Sequence, residues 1–335
     1  MPPHPETWLI PTQEGLYCVP GGFHIDPHRR VARAVVTHAH SDHARPGHEA
    51  VAASPATLAL MRVRHGARPA ETPLLWGEEL RHGDTVVTLH PAGHVLGSAQ
   101  VAITWRGSRI VVSGDYKRVP DPTCDPFVPV PCDVFVTEAT FGLPVFRHPP
   151  PEDEIRRLLA SVALFPHRTH VIGCYSLGKT QRLIALLRAA GWNEPIYLHD
   201  ALTRMCEVYE HLGIELGDLR PAAAAARAEM VGRIVLAPPP AIGGEWARRL
   251  TDPVVCMASG WMGVRRRARQ SGAELPLILS DHADWDELNR TLDDVGAPEI
   301  WVTHGAEDAL IHAAGRRGMR GRALRLIGCG DEEPG

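Results

Sequence analysis

Residues 37–43, T-H-A-H-S-D-H, set His38, His40, Asp42 and His43 within six positions. The residues before them, V-A-R-A-V-V-T (31–37), read as a short strand that is apolar toward its end. The four side chains therefore fall on the loop leaving a strand, where a rigid support can aim closely spaced groups into one cavity. Imidazole and carboxylate together suit zinc, manganese or iron. Without thiolate they do not make a closed structural zinc site. Two His plus an Asp-His pair exceed what one ion needs, so the spacing points to two ions. The competing reading is a His-rich loop that holds no metal.

Further along, chemistry-bearing residues recur at predicted strand ends. G-D-T-V-V-T-L-H (83–90) alternates like a strand and leads to P-A-G-H-V-L-G-S-A-Q (91–100), with His94 between glycines. A predicted hairpin, V-A-I-T-W, an R-G-S turn and R-I-V-V-S-G-D-Y (109–116), ends at Asp115. Its two oxygens could bridge two metals. A lone Asp in S-G-D is usually a turn residue, so Asp115 rests on its place in the series. C-D-V-F-V-T-E-A-T-F-G (132–142) brings Glu138 to another strand end. L-I-L-S-D-H-A-D-W (277–285) and E-I-W-V-T-H-G-A-E (299–307) do the same for His282 and His304. Asp284 is a candidate helix cap. His65, His82, His148, His167 and His199 are read as surface or ordinary core residues.

The chain has 335 residues, enough for two domains with proper cores. Hydrophobic content of 44% and charged content of 22% are those of a soluble globular protein. Seven Cys, an odd number with no C-x-x-C pair, argue against a disulfide framework or zinc ribbon and fit a reducing cytoplasm. The N-terminus shows no secretory signal, and no apolar run approaches a membrane span. A net charge of −4 does not advertise a nucleic-acid binder. Its distribution does more: residues 261–272 and 312–327 carry several Arg and no acid. Such patches can bind phosphates, or can be solvated helix faces.

R-H-P-P-P (147–151) is a breaker cluster and a candidate boundary. Beyond it the pattern alternates: helix 152–164, strand 169–174, helix 178–190, strand 195–198, a helix capped by Asp200 and stopped by Gly213, strand 233–237, a helix around 243–250, and strand 254–258. Repeated strand–helix units imply a small parallel α/β sheet. Within them G-C-Y-S-L-G-K-T (173–180) matches the nucleotide-binding P-loop pattern letter for letter. The strongest later acidic strand end, I-Y-L-H-D, carries a polar His, and the His series already accounts for the chemistry. The stretch is therefore read as a helix N-terminus facing a nucleic-acid backbone, or as a plain strand–helix turn.

Taken in order, H-A-H-S-D-H, G-H-V-L-G-S-A, S-G-D-Y, T-E-A-T-F-G, S-D-H-A-D and T-H-G-A-E resemble the motifs of the β-CASP branch of metallo-β-lactamase nucleases. The short chain and the G-K-T-Q-R variant most resemble the bacterial DNA ligase-associated exonuclease group. S-D-H-A-D departs from the S-A-H-x-D of many relatives by placing Asp281 beside His282. The resemblance implies an α/β fold: a metallo-β-lactamase αββα sandwich, formed by 1–145 and a return segment 277–335, with an inserted β-CASP α/β cap domain at 146–276. It implies two divalent ions, Zn²⁺ or Mn²⁺. His38, His40 and His94 would hold one, Asp42, His43 and His304 the other, with Asp115 bridging. A hydroxide between the ions would attack phosphorus, and His282, oriented by Glu138, would protonate the leaving 3′-oxygen. Asp42, Asp115, Glu138 and His282 form the implied catalytic set. Lys179, Thr180 and Arg182 with Arg265, Arg266 and Arg267 would hold the strand in the cleft. The implied activity is hydrolysis of single-stranded DNA in repair, leaving 5′-phosphate and 3′-hydroxyl ends, beside an ATP-dependent DNA ligase and a helicase. An RNA-processing nuclease on the same scaffold is the alternative. A P-loop nucleotide-binding protein and a non-catalytic nucleic-acid scaffold remain as other classes.

Overall fold

The computed structural model describes residues 1–66 and 70–325. Cys329 and the end of the 312–327 basic stretch lie outside the described residues. The chain divides into two compact units: Met1–Arg147 together with the chain from His282 onward, and His148–Asp281.

The first unit carries two sheets among its described residues. One has the order Leu9–Pro11, Leu16–Cys18, Phe23–Ile25, Arg33–Val35, Ala50–Ala53 and Ala70–Pro73. The other runs Arg320–Ala323, Glu299–Gly305, Val134–Ala139, Ser108–Val112, Ala99–Trp105, Thr85–Pro91 and Leu80–His82. Their inward faces share one core. Phe23, Ile25 and Val35 from the first meet Leu89, Val101, Ile103, Ile110, Val134 and Trp301 from the second. The alternate residues of the second sheet, Ala102, Val111, Phe135, Ile300 and Val302, pack against Leu288, Leu292 and Leu310 from helices Trp285–Val295 and Glu307–Gly315. The period-two pattern of these strands explains both faces.

Strand direction then sets the site. Ser108–Val112, Val134–Ala139 and Glu299–Gly305 are mutually parallel. Thr85–Pro91 reaches the same sense through two antiparallel steps. The ends of these strands, and the loops leaving them, therefore lie along one edge. Phe23–Ile25, Arg33–Val35 and Ala50–Ala53 are likewise parallel in their own sheet.

The second unit is an all-parallel sheet of Leu219–Pro221, Ile196–Leu198, Ile234–Ala237, His170–Gly173, Val254–Ala258 and Leu275–Leu277. The strand–helix alternation predicts the four inner strands; Leu219–Pro221 and Leu275–Leu277 are too short and proline-bearing to announce themselves. Two local expectations need correction. His199, not Asp200, caps helix Asp200–His211: its backbone is extended and its Nδ1 accepts the Ala201 amide at 3.0 Å. The helix expected around 243–250 is replaced by a short helix Pro239–Ile242 and a single turn Ala247–Arg249. Gly243 and Gly244 disfavour helix there, while two prolines start it early. Asp284 caps Trp285–Val295 as expected, and Ser54 caps helix Pro55–His65.

Candidate metal centre

The Thr37–His43 loop folds so that His38 Nε2 lies 3.1 Å and His94 Nε2 3.0 Å from His40 Nδ1. Asp115 Oδ2 is 3.4 Å from His38 Nε2 and 3.7 Å from His94 Nε2. One ligand atom from each of these four residues falls within 4.8 Å of the others. Neutral rings carry one N–H each, so hydrogen bonding alone does not explain three ring nitrogens pointed at one spot. A tetrahedral ion does: bonds of about 2.0–2.1 Å separate its ligands by about 3.3 Å. The donor set fits a divalent cation. His38 and His94 are fully buried. Burial, with the neighbouring His43, holds His38 well below the ordinary imidazole range despite the Asp115 carboxylate. That is the neutral form a metal requires.

Two glycines make this approach feasible. Gly114 has φ +56°, and a Cβ there would come within 2.8 Å of the Thr37 side chain. Gly93, φ +73°, presses against the Lys117 carbonyl. A side chain at Gly114 would push the Asp115 loop off the Thr37 loop, and one at Gly93 would push the His94 loop off the Lys117 backbone.

The same Asp115 oxygen faces a second, looser group. His43 Nε2 lies 3.4 Å from it and 3.7 Å from Asp42 Oδ2. Asp42 is about half exposed, at 51% of its side chain. The His304 ring centroid stands 6.2 Å from that of His43. His304 sits where the pairing with Val134–Ala139 shifts register, with φ +60°. An extra residue in left-handed backbone re-aims a side chain at a strand end. Burial opposes charge on both Asp115 and His43, yet each stabilises the other's ion: His43 is raised well above the usual range, and Asp115 is lowered well below it.

Asp26 is the residue that sequence reading missed. Its Oδ1 accepts the Thr37 amide at 2.7 Å, and its Oδ2 accepts the Thr37 hydroxyl at 2.6 Å and faces His43 Nδ1 at 2.8 Å. It thus ties the loop to the end of strand Phe23–Ile25 and turns His43 Nε2 toward Asp115. Its only sequence signal was an Asp before Pro after a short strand.

Glu138 is buried at 2% exposure and holds His282 Nδ1 at 2.9 Å. Asp115, Glu138 and His282 also converge within ligand range of one another.

The proposed strand-holding residues divide. Lys179, Thr180 and Arg182 are buried and engaged inside their own unit. Lys179 pairs with Asp281 at 2.8 Å and donates to the Leu279 carbonyl at 3.0 Å. Thr180 donates to the Tyr175 carbonyl at 2.7 Å, and Arg182 donates to the Ser280 carbonyl. The Gly178 amide is taken by Gln181 Oε1 at 2.8 Å. A phosphate cradle needs those donors turned outward, and here they face protein. Arg265 and Arg266 are exposed, and Arg267 stacks over Trp261 at 3.9 Å.

No family model matches the chain. A protein of Opitutus terrae named "Probable DNA ligase" is 31% identical over 326 residues, covering 95% of this chain and 31% of that protein. The chain thus spans about a third of that relative. Ribonuclease TTHA0252 of Thermus thermophilus is 26% identical, over 93% of this chain and 90% of its own. Cleavage and polyadenylation specificity factor subunit 3 of Dictyostelium discoideum is 31% identical over 38% of this chain and 18% of its own. A protein of unknown function from Enterococcus faecalis V583 shares the fold at TM-score 0.56 and 13% identity, over 88% of this chain and 80% of its own. On these likenesses the chain is similar to nucleases of the β-CASP branch of the metallo-β-lactamase family, the group its motifs resemble.

Proposed function

We propose that the protein is a di-metal phosphodiesterase that hydrolyses single-stranded DNA to 5′-phosphate and 3′-hydroxyl ends. The observation that carries this is the convergence of His38, His40, His94 and Asp115 beside the His282–Glu138 pair. In this reading the two facing sheets and their outer helices are the αββα sandwich, and His148–Asp281 is the β-CASP domain. His38, His40 and His94 would hold one ion and Asp42, His43 and His304 the other, with Asp115 available to both.

Two bound divalent ions, zinc or manganese, would lower the pKa of a water and offset charge at the phosphate. The rest is done by the chain's own groups. Glu138 accepts from His282 Nδ1 and fixes the ring, so that the opposite nitrogen can deliver a proton to the leaving oxygen. Such general acids contribute roughly 10²–10⁴-fold. Asp26 fixes the tautomer of His43. The exposed Arg265 and Arg266, with Arg267 on Trp261, supply the phosphate contacts that Lys179, Thr180 and Arg182 are too buried to make. The Opitutus relative's name supports cooperation with a DNA ligase. The Thermus relative, matched over nearly its whole length, favours a second reading as an RNA-processing nuclease.

The test is cleavage of end-labelled single-stranded DNA and RNA of one sequence by metal-stripped protein given Zn²⁺ or Mn²⁺. Metal-dependent DNA cutting that Asp115→Ala and His282→Ala both lose supports the first reading. Cutting of RNA alone selects the second. No cutting of either overturns both.

A further inference from the structure

We propose that Lys117 and Glu287 are positioning residues that lock the proton-delivering His282 to the loop carrying Asp115. The proposal rests on the phosphodiesterase reading above and extends it to two residues outside the ligand series.

Lysine is scarce in this sequence: only Lys117 and Lys179 occur among 35 basic residues. Lys117 is 4% exposed and Glu287 7%, and their charged atoms lie 2.6 Å apart. Burying two charges is costly, and such a pair is weak evidence for stability as such. What it touches is more informative. Lys117 Nζ also donates to the His282 carbonyl at 3.2 Å. Glu287 Oε1 accepts the Arg118 and Val119 amides at 2.9 and 2.6 Å, and Oε2 accepts the Asp284 amide at 3.0 Å. One carboxylate thereby holds the turn after Asp115 and the turn after His282 together.

Tyr116 adds two further ties. Its carbonyl accepts the Ala283 amide at 2.7 Å, and its amide donates to Glu138 Oε1 at 2.8 Å. The backbone of residues 116–119 thus grips both the His282 loop and the carboxylate that orients its ring. A compact ammonium with three donors suits the two oxygens facing Lys117 Nζ better than a planar five-donor guanidinium. Precise placement is what general-acid catalysis needs, since small displacements forfeit much of the rate.

The experiment compares two substrates. An oligonucleotide leaves as an alkoxide that needs a proton. Bis(p-nitrophenyl) phosphate releases a phenolate that does not, so it reports the metal centre without the acid. For Lys117→Met and Glu287→Gln the expected result is a 10–100-fold fall in kcat on the oligonucleotide, little change in KM, and bis(p-nitrophenyl) phosphate hydrolysis within threefold of wild type. Lys117→Arg should not restore oligonucleotide cleavage. The double variant Lys117→Met/Glu287→Leu leaves no unpaired buried charge, and is judged by the same ratio if a single variant fails to fold. Equal loss on both substrates, or unchanged oligonucleotide cleavage, overturns the proposal. His282→Ala run in parallel separates the two claims. If it shifts the ratio and the Lys117 and Glu287 variants do not, only the positioning proposal falls. If His282→Ala leaves the ratio unchanged, or wild type cuts neither substrate, the underlying reading falls and takes the proposal with it.

Discussion

Asp26 shows how a residue outside the ligand series can control it. It spends both oxygens on Thr37 and on His43, so the ligand loop hangs from it at two points. Removing an outer-shell carboxylate of this kind typically lowers metal affinity 10–100-fold. Asp26→Ala should therefore weaken binding of the second ion by that factor, read by competition with a chromophoric chelator, while the ion at His38, His40 and His94 is retained. Equal loss of both ions would show that Asp26 holds the whole loop rather than His43. Gly114 makes a second residue-scale case. Its left-handed backbone and its closeness to Thr37 predict that Gly114→Ala loses about 1–3 kcal/mol of stability. Denaturant unfolding measures it. The motif residues His38, His40, His94 and Asp115 were legible in the sequence because each stands at a strand end within a recognisable string. Asp26 was not, because nothing local distinguishes a carboxylate that caps a loop from one that ends a turn.

At the scale of elements, helix Lys179–Ala189 is the instructive one. Its eight-residue approach has every letter of a phosphate-binding loop, yet Gln181 closes the helix end and Asp281 takes the lysine. Sequence pattern specifies which donors exist, but not which way they face. Asp281 lies about a hundred residues downstream, so only the folded chain could bring it to Lys179. Breaking a buried pair by removing one partner costs about 3–5 kcal/mol. Lys179→Met should destabilise the protein by that order in thermal or denaturant unfolding, and Lys179→Met/Asp281→Leu should recover much of it. ATP affinity abolished by Lys179→Met without loss of stability would restore the nucleotide-binding reading.

At the scale of the whole molecule, stability depends on pH through a buried histidine outside the ligand series. His170 begins the inner strand His170–Gly173, is fully buried, and sets Nε2 2.9 Å from the Ser161 hydroxyl. Burial, helped by Arg168, lowers its pKa from 6.5 to about 4. The unfolded chain binds a proton there at a pH where the folded chain does not. Stability is therefore unaffected above about pH 6.5, falls as pH drops toward 4, and loses nothing more from this group below that. The loss is on the order of 3 kcal/mol across the window. A His170→Gln variant should show a flatter dependence of stability on pH between 6.5 and 4, measured by urea unfolding. An unchanged slope would assign the acid sensitivity to other groups.

The inner strands and long helices of the second unit, the His and Asp series and its family likeness came from the sequence, because strand periodicity and short-range spacing are local properties. The contacts that make a site of them are not local. Asp115 meets His38 because parallel strands end at one edge of the fold, His304 is turned by a register shift against a neighbouring strand, and Lys117 finds Glu287 across 170 residues. The same distance in sequence hides which charges are spent inside the protein. Tertiary packing alone decided that Lys179 and Arg182 face protein while Arg265 and Arg266 face water, since a side chain's partner is chosen by the fold and not by its neighbours in the chain.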